Sequence, residues 1–209
     1  NYYDIISMSY LFLSCTEGLD NNGNNFNHPQ LYNYIKTNRD SSLSGEALRT
    51  NMEKMLWQGS DNAKQAVHMQ LALNYTKLHQ GKAKPNSQGV MEFMRLLNIS
   101  QRLYNQIDLS KASEADKNKL GLGAYSSKNL TNPEMIYVLS SKIIGYDLSE
   151  IFKLYGLPIS DTAHASVAML NLSAAPLNFY AQPANRSNYL NEGTWITLPS
   201  TGVVANYPY

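Results

Sequence analysis

Hydrophobic and polar positions divide the chain into helix-length segments followed by an irregular end. Residues 2–14, YYDIISMSYLFLS, are apolar on nearly every side and read as a buried helix, with a strand as the second reading. The loop TEGLDNNGNNFNHP ends at Pro29. There a short helix begins that runs to about Asn38, with Leu31, Tyr34 and Ile35 on one side. Ser44 caps GEALRTNMEKMLWQG, in which Leu48, Met52, Met55 and Leu56 recur at helical spacing before Gly59. Ser60 caps DNAKQAVHMQLALNYTKLHQG, with a stripe of Ala63, Val67, Leu71 and Tyr75 and a stop at Gly81. QGVMEFMRLLNISQRLYNQI repeats the pattern through Val90, Phe93, Met94, Leu97 and Leu103. Three amphipathic helices joined by short links predict a mainly α fold, an antiparallel helical bundle.

The next stretch is more polar and holds one short helix, Ser113 to Leu120. Asn132 and Pro133 then open EMIYVLSSKIIG, and Ser160 caps a helix reaching about Leu170. Beyond Ala174 the texture turns to Pro, Asn and Gly, with a single β-like run, TWITL. The expected division is a helical bundle over 1–173 and an irregular, slightly β tail over 174–209 that packs on it.

Composition narrows the function. The 209 residues are 43% hydrophobic and 11% aromatic, a folded composition, but only 16% charged against roughly 25% for an average domain. A net charge of +1 with no basic block lacks the concentrated field that phosphate binding needs, so no nucleic-acid partner is expected. No apolar run reaches the ~20 residues of a membrane span. The chain does not start with Met, and it reads as a piece of something longer.

Candidate chemistry is sparse. A helix-borne zinc hydrolase needs two His one turn apart with a Glu between, and none of His28, His68, His79 and His164 are four apart. His68 and His79, eleven apart, would stand about 16 Å apart along a helix axis, too far to share a metal. Cys15 lies in an apolar run with no readable His partner, and no serine sits in a GxSxG elbow. The GLG at 121–123 lacks a third glycine. Asp20, Asn22 and Asn24 alternate like calcium-loop ligands but lack the sixth-position glycine and the closing Glu. Asn74, Asn98, Asn129, Asn171 and Asn185 each begin an N-x-[ST] triplet, in a chain so Asn-rich that matches arise by chance. Trp57 ends an apolar stripe and reads as core, while Trp195 lies in irregular surroundings open to a sugar- or peptide-binding role. The sequence assigns no catalytic, cofactor or metal residue.

The most ordered stretch is KIIGYDLSEIFKLYGLPIS, starting at Lys142. Gly145 ends one helix, and Asp147 is positioned to cap the next with Glu150 in a capping box. Leu148, Ile151, Phe152 and Tyr155 form its apolar face, Gly156 stops it and Pro158 prevents its resumption. Packing alone accounts for such a unit. It also resembles the end of the catalytic region of the M60-like (enhancin-type) zinc metallopeptidases, whose G-x-D-L-x-x-x-F-x-x-W/Y-G pattern is matched by Gly145, Asp147, Leu148, Phe152, Tyr155 and Gly156. AVHMQLALNY and VMEFMRLLNISQRLY fit that family's helical subdomain, so the likeness covers about residues 1–170. The resemblance implies secreted or cell-surface bacterial proteins that attack glycoproteins such as mucins with an HExxH zinc site and a downstream Glu. This chain contains neither the HExxH nor an assignable third ligand. The implied role is a helical subdomain that shapes the substrate cleft beside the zinc-bearing half of its parent chain, inactive alone, with zinc belonging to the parent. The alternative is a non-catalytic all-α module that binds glycan or protein.

Overall fold

The computed structural model describes residues 28–40, 61–182 and 192–209. In chain order these form α1 (His28–Asp40), α2 (Asp61–Asn74) with a π-helical turn (Tyr75–His79), α3 (Ser87–Gln106) and α4 (Glu114–Lys119). They continue with α5 (Asn132–Ile144), α6 (Ser149–Leu154), α7 (Asp161–Ala168), β1 (Asn178–Ala181) and β2 (Thr194–Thr197). The protein is mainly α, with β1 and β2 paired antiparallel so that Tyr180 stands opposite Trp195. The run TWITL supplies β2; its partner β1, NFYA, lies in the part of the tail expected to be irregular. Expectations for residues 2–14 and for the helix after Ser44 lie outside the described residues, as do those for Cys15, Asp20, Asn22, Asn24, Trp57 and Asn185.

The centre is α2. It packs against α1, α3 and β1, while α3 packs on α5 and α5 on α7. Residues 66–76 are buried without interruption, so the predicted amphipathic stripe is a helix covered on every side. Around it lies an aromatic core whose largest fully buried side chains are Tyr32, Tyr75, Tyr137, Tyr155, Tyr180, Phe93, Phe152 and Phe179. Gly89 lets α3 come close to the π turn: a Cβ there would lie 2.7 Å from the Thr76 methyl and would clash with the Gln80 side chain.

Most helix ends follow local chemistry. Asn86 caps α3 by accepting from the Gly89 N–H, Ser113 caps α4, and Ser160 caps α7. Gly145 closes α5 in the left-handed conformation, φ 82°, which residues with a Cβ resist.

Four assignments are corrected. Tyr32, not Tyr34, joins Leu31 and Ile35 inside α1; Tyr34 is half-buried. On α3 the inward stripe continues through Gln101 and Tyr104, leaving Leu103 on the outside at 47% exposure. From Leu97 the inward positions fall at +4 and +7, while Leu103, at +6, is turned away. Asp147 is not the cap of α6, whose N-cap is Leu148, and Glu150 forms no capping box there. Glu150 instead pairs across the surface with Lys153 at 3.7 Å. The capping box stands at α5: Thr131 accepts from the Glu134 N–H, and the Glu134 carboxylate accepts from the Thr131 N–H at 2.7 Å.

Candidate functional site

The first polar constellation is internal. Burying α2 on all sides also buries His68, Gln70, Asn74 and Thr76. Polar groups there need partners. The Gln70 amide meets β1 on the edge away from β2: its Nε2 donates to the Tyr180 carbonyl at 2.8 Å, and the Tyr180 N–H donates to its Oε1 at 2.9 Å. The same Nε2 lies 2.9 Å from His28 Nδ1. An amide nitrogen only donates, so Nδ1 accepts and the ring proton sits on Nε2. One turn on, Asn74 Nδ2 donates to the Asn178 carbonyl at 3.3 Å. These two side chains stand in for a third strand. Complete burial holds His28 far below its ordinary pKa, to about 3, so near neutral pH it is an uncharged packing element.

The second constellation lies in the stretch that carried the family resemblance. Asp147 Oδ1 accepts from the Tyr137 hydroxyl and from the Ser149 N–H, both at 2.9 Å. Its backbone pairs with the chain ahead of β1, donating to the Ser173 carbonyl and accepting from the Ala175 N–H, each at 2.8 Å. Asp147 therefore ties α5, α6 and the approach to the sheet together. Burial, then the Asp147 bond and charge, drive the Tyr137 phenol far above its usual range, so it remains a donor. The Tyr137 ring meets Phe152 edge-on, centroids 5.4 Å apart. Glu134 joins the neighbouring corner, where its Oε1 accepts from the Ser160 N–H that opens α7. Burial pushes the Glu134 carboxyl up, but the hydrogen bonds from Ser160 and Thr131 outweigh it and hold the group below its usual range.

The other residues singled out from sequence do not converge. His68 is inside α2, His79 stacks on Tyr75 with centroids 4.8 Å apart, and His164 lies on α7 near the Tyr137 ring. Among the described residues no three His, Cys, Asp or Glu side chains gather in a group that could hold a metal ion. These residues therefore do not fit a zinc site, and no reaction step is assigned to one. The GLG segment is a turn after α4, with Leu122 buried. Asn74 is buried and Asn98 donates to the Met94 carbonyl, whereas Asn129 and Asn171 are exposed. Trp195 is no open platform: its Nε1–H donates to the Ala83 carbonyl, Lys77 Nζ sits 4.5 Å from the ring centroid, and Tyr180 packs at 4.9 Å.

One surface stands apart. On the outer side of α3, Met91 and Ile99 are each 40% exposed and Leu103 47%, with Arg95 and Arg102 exposed among them. The other exposed large apolar side chains among the described residues are Met169, Val203 and Tyr209.

No protein-family profile matches the sequence, and no curated protein matches it. Solved structures do. IMPa from Pseudomonas aeruginosa in complex with an O-glycopeptide superposes with a TM-score of 0.71 at 19% identity. The IMPa metallopeptidase from Pseudomonas aeruginosa gives the same values, and the IMPa metallopeptidase in complex with T-antigen gives 0.70 at 21%. Each match covers 98% of this chain and 22% of the other, so the chain spans about a fifth of the proteins it resembles. Coverage continues past residue 170, so the tail belongs to the shared fold as well. The resemblance to M60-like metallopeptidases read from Gly145 to Gly156 holds for the fold of nearly the whole chain.

Proposed function

We propose that this chain is the C-terminal helical subdomain of a secreted or cell-surface M60-like metallopeptidase acting on glycoproteins such as mucins. In this reading residues 1–173 are an antiparallel helical bundle and 174–209 a tail packed on it. The chain shapes one wall of the substrate cleft and does not cleave by itself. The zinc, and the HExxH helix that holds it, belong to another part of the parent polypeptide, the principal partner of this chain. The observation that carries the reading is a fold shared over 98% of this chain with 22% of a metallopeptidase, in a sequence without HExxH. IMPa has been solved with an O-glycopeptide and with T-antigen, which supports a glycoprotein or glycan as the substrate class here.

The contribution of this chain's own residues is rigidity. Gln70 fixes β1 to α2, and Asp147 fixes the approach to β1 against α5 and α6, so a cleft wall built on them stays in place while substrate binds. The test is cleavage of an O-glycosylated peptide by the longer polypeptide, with and without a zinc chelator, beside the 209-residue chain alone. Chelator-sensitive cleavage by the longer polypeptide only is expected. A longer polypeptide with no HExxH, or cleavage by this chain alone, would overturn the assignment.

A further inference from the structure

We infer that the outer face of α3, formed by Met91, Arg95, Ile99, Arg102 and Leu103, is the surface on which the remainder of the longer polypeptide docks, through an apolar patch flanked by carboxylates. The inference rests on the proposed reading of the chain as one part of a larger metallopeptidase.

The face opposes the buried stripe of Val90, Phe93, Met94, Leu97, Gln101 and Tyr104, so it is not a mispositioned core. Among the described residues, half of the six exposed large apolar side chains stand on this helix. The solvent side of a helix ordinarily carries polar residues, and an apolar cluster ringed by charge marks an interaction surface. The charge is one-signed: Arg95 and Arg102 are exposed, while the half-buried Glu92 already accepts from Gln80 Nε2 at 2.8 Å. A partner that neutralises this pair presents carboxylates.

Size decides between occupants. Two copies laid antiparallel would set Met91 against Leu103 and Arg95 against Ile99. The five side chains of this stripe, however, are far fewer than the roughly 20–30 residues a side of a stable association between separate molecules. A covalently attached partner needs far less, because the tether holds it at about millimolar effective concentration. The solved proteins that share this fold supply such a tether, since the matched part is 22% of their length.

The experiment is methionine oxidation by peroxide, read by mass spectrometry, on the longer polypeptide and on the 209-residue chain. In the longer polypeptide Met91 is expected to oxidise about tenfold more slowly than a methionine in an unstructured reference peptide, as for a ~100 μM contact at millimolar effective concentration. In the 209-residue chain it should oxidise near the reference rate at every protein concentration, and Ile99→Glu in the longer polypeptide should restore the fast rate. A reference-like Met91 rate in the longer polypeptide overturns the inference whether or not the 209-residue chain folds alone. Protection that grows with the concentration of the 209-residue chain assigns the face to a second copy and overturns it too. Peptidase activity is not read, so a longer polypeptide lacking HExxH would refute the proposed function and leave this result standing.

Discussion

Gln70→Leu isolates the buried amide that binds the central helix to the sheet. Leucine fills a similar volume, so the loss is in hydrogen bonding rather than packing. Both Tyr180 backbone groups that face Gln70 lose their partner, and His28 Nδ1 loses its donor. The position is fully buried, so water cannot replace them. Each buried polar group left unpaired costs about 1–3 kcal/mol, which places the total at about 3–5 kcal/mol for groups that relax together. For a chain of this size that is a fall of roughly 6–20 °C in Tm. Thermal unfolding at pH 7 followed by circular dichroism measures it, and hydrogen exchange at the Tyr180 amide localises it. A Tm within about 2 °C of the parent, with Tyr180 exchange unchanged, would show that the amide does not carry β1.

Phe152→Ala removes a fully buried ring and should cost about 3–5 kcal/mol in urea unfolding, whereas Leu103→Ala, on the outer face, should cost less than about 1 kcal/mol. Equal losses would mean the helix faces are wrong. Asp147→Ala breaks two side-chain bonds, and its cost of about 2–3 kcal/mol should exceed the ~1 kcal/mol of a simple cap; a double-mutant cycle with Tyr137→Phe should show coupling of about 1 kcal/mol. Because folding lowers the His28 pKa from 6.5 to about 3, the unfolded chain binds the extra proton, so this stability is complete above pH 6.5 and drains as pH falls toward 3. Between pH 7 and 5, before most carboxylates titrate, the loss should be about 2 kcal/mol, and His28→Gln should flatten that slope; an unchanged slope refutes the assignment.

Local chemistry was readable where it needed only neighbours in sequence. Ser113, Ser160 and Gly145 mark their helix ends because caps and left-handed stops involve residues three or four apart. The apolar face Leu148, Ile151, Phe152 and Tyr155 is buried as its spacing predicts. Readings failed where a distant partner decided the outcome. Asp147 looked like a cap with Glu150 because both sit at capping distance, yet Tyr137 and Ser149 claim its carboxylate. The stripe on α2 looked one-sided because the strand that covers its other side is far along the chain. A signal was present all the same: His68, Gln70 and Asn74 interrupt an otherwise apolar run, and polar groups inside a buried helix imply partners elsewhere. The outer face of α3 was hidden by its own hydrophobicity, which absorbed Leu103 into the inward stripe.

The span between Gln70 and Tyr180, 110 residues, also sets a schedule for folding. At a synthesis rate of about 5–20 residues per second, the central helix leaves the ribosome roughly 5–20 s before its strand. Through that interval one apolar flank and several amide groups are without their final neighbour, a natural substrate for a holding chaperone. Nascent chains stalled before residue 178 should therefore remain protease-sensitive, and completion of the last turns of sequence should be the event that locks the earlier ones.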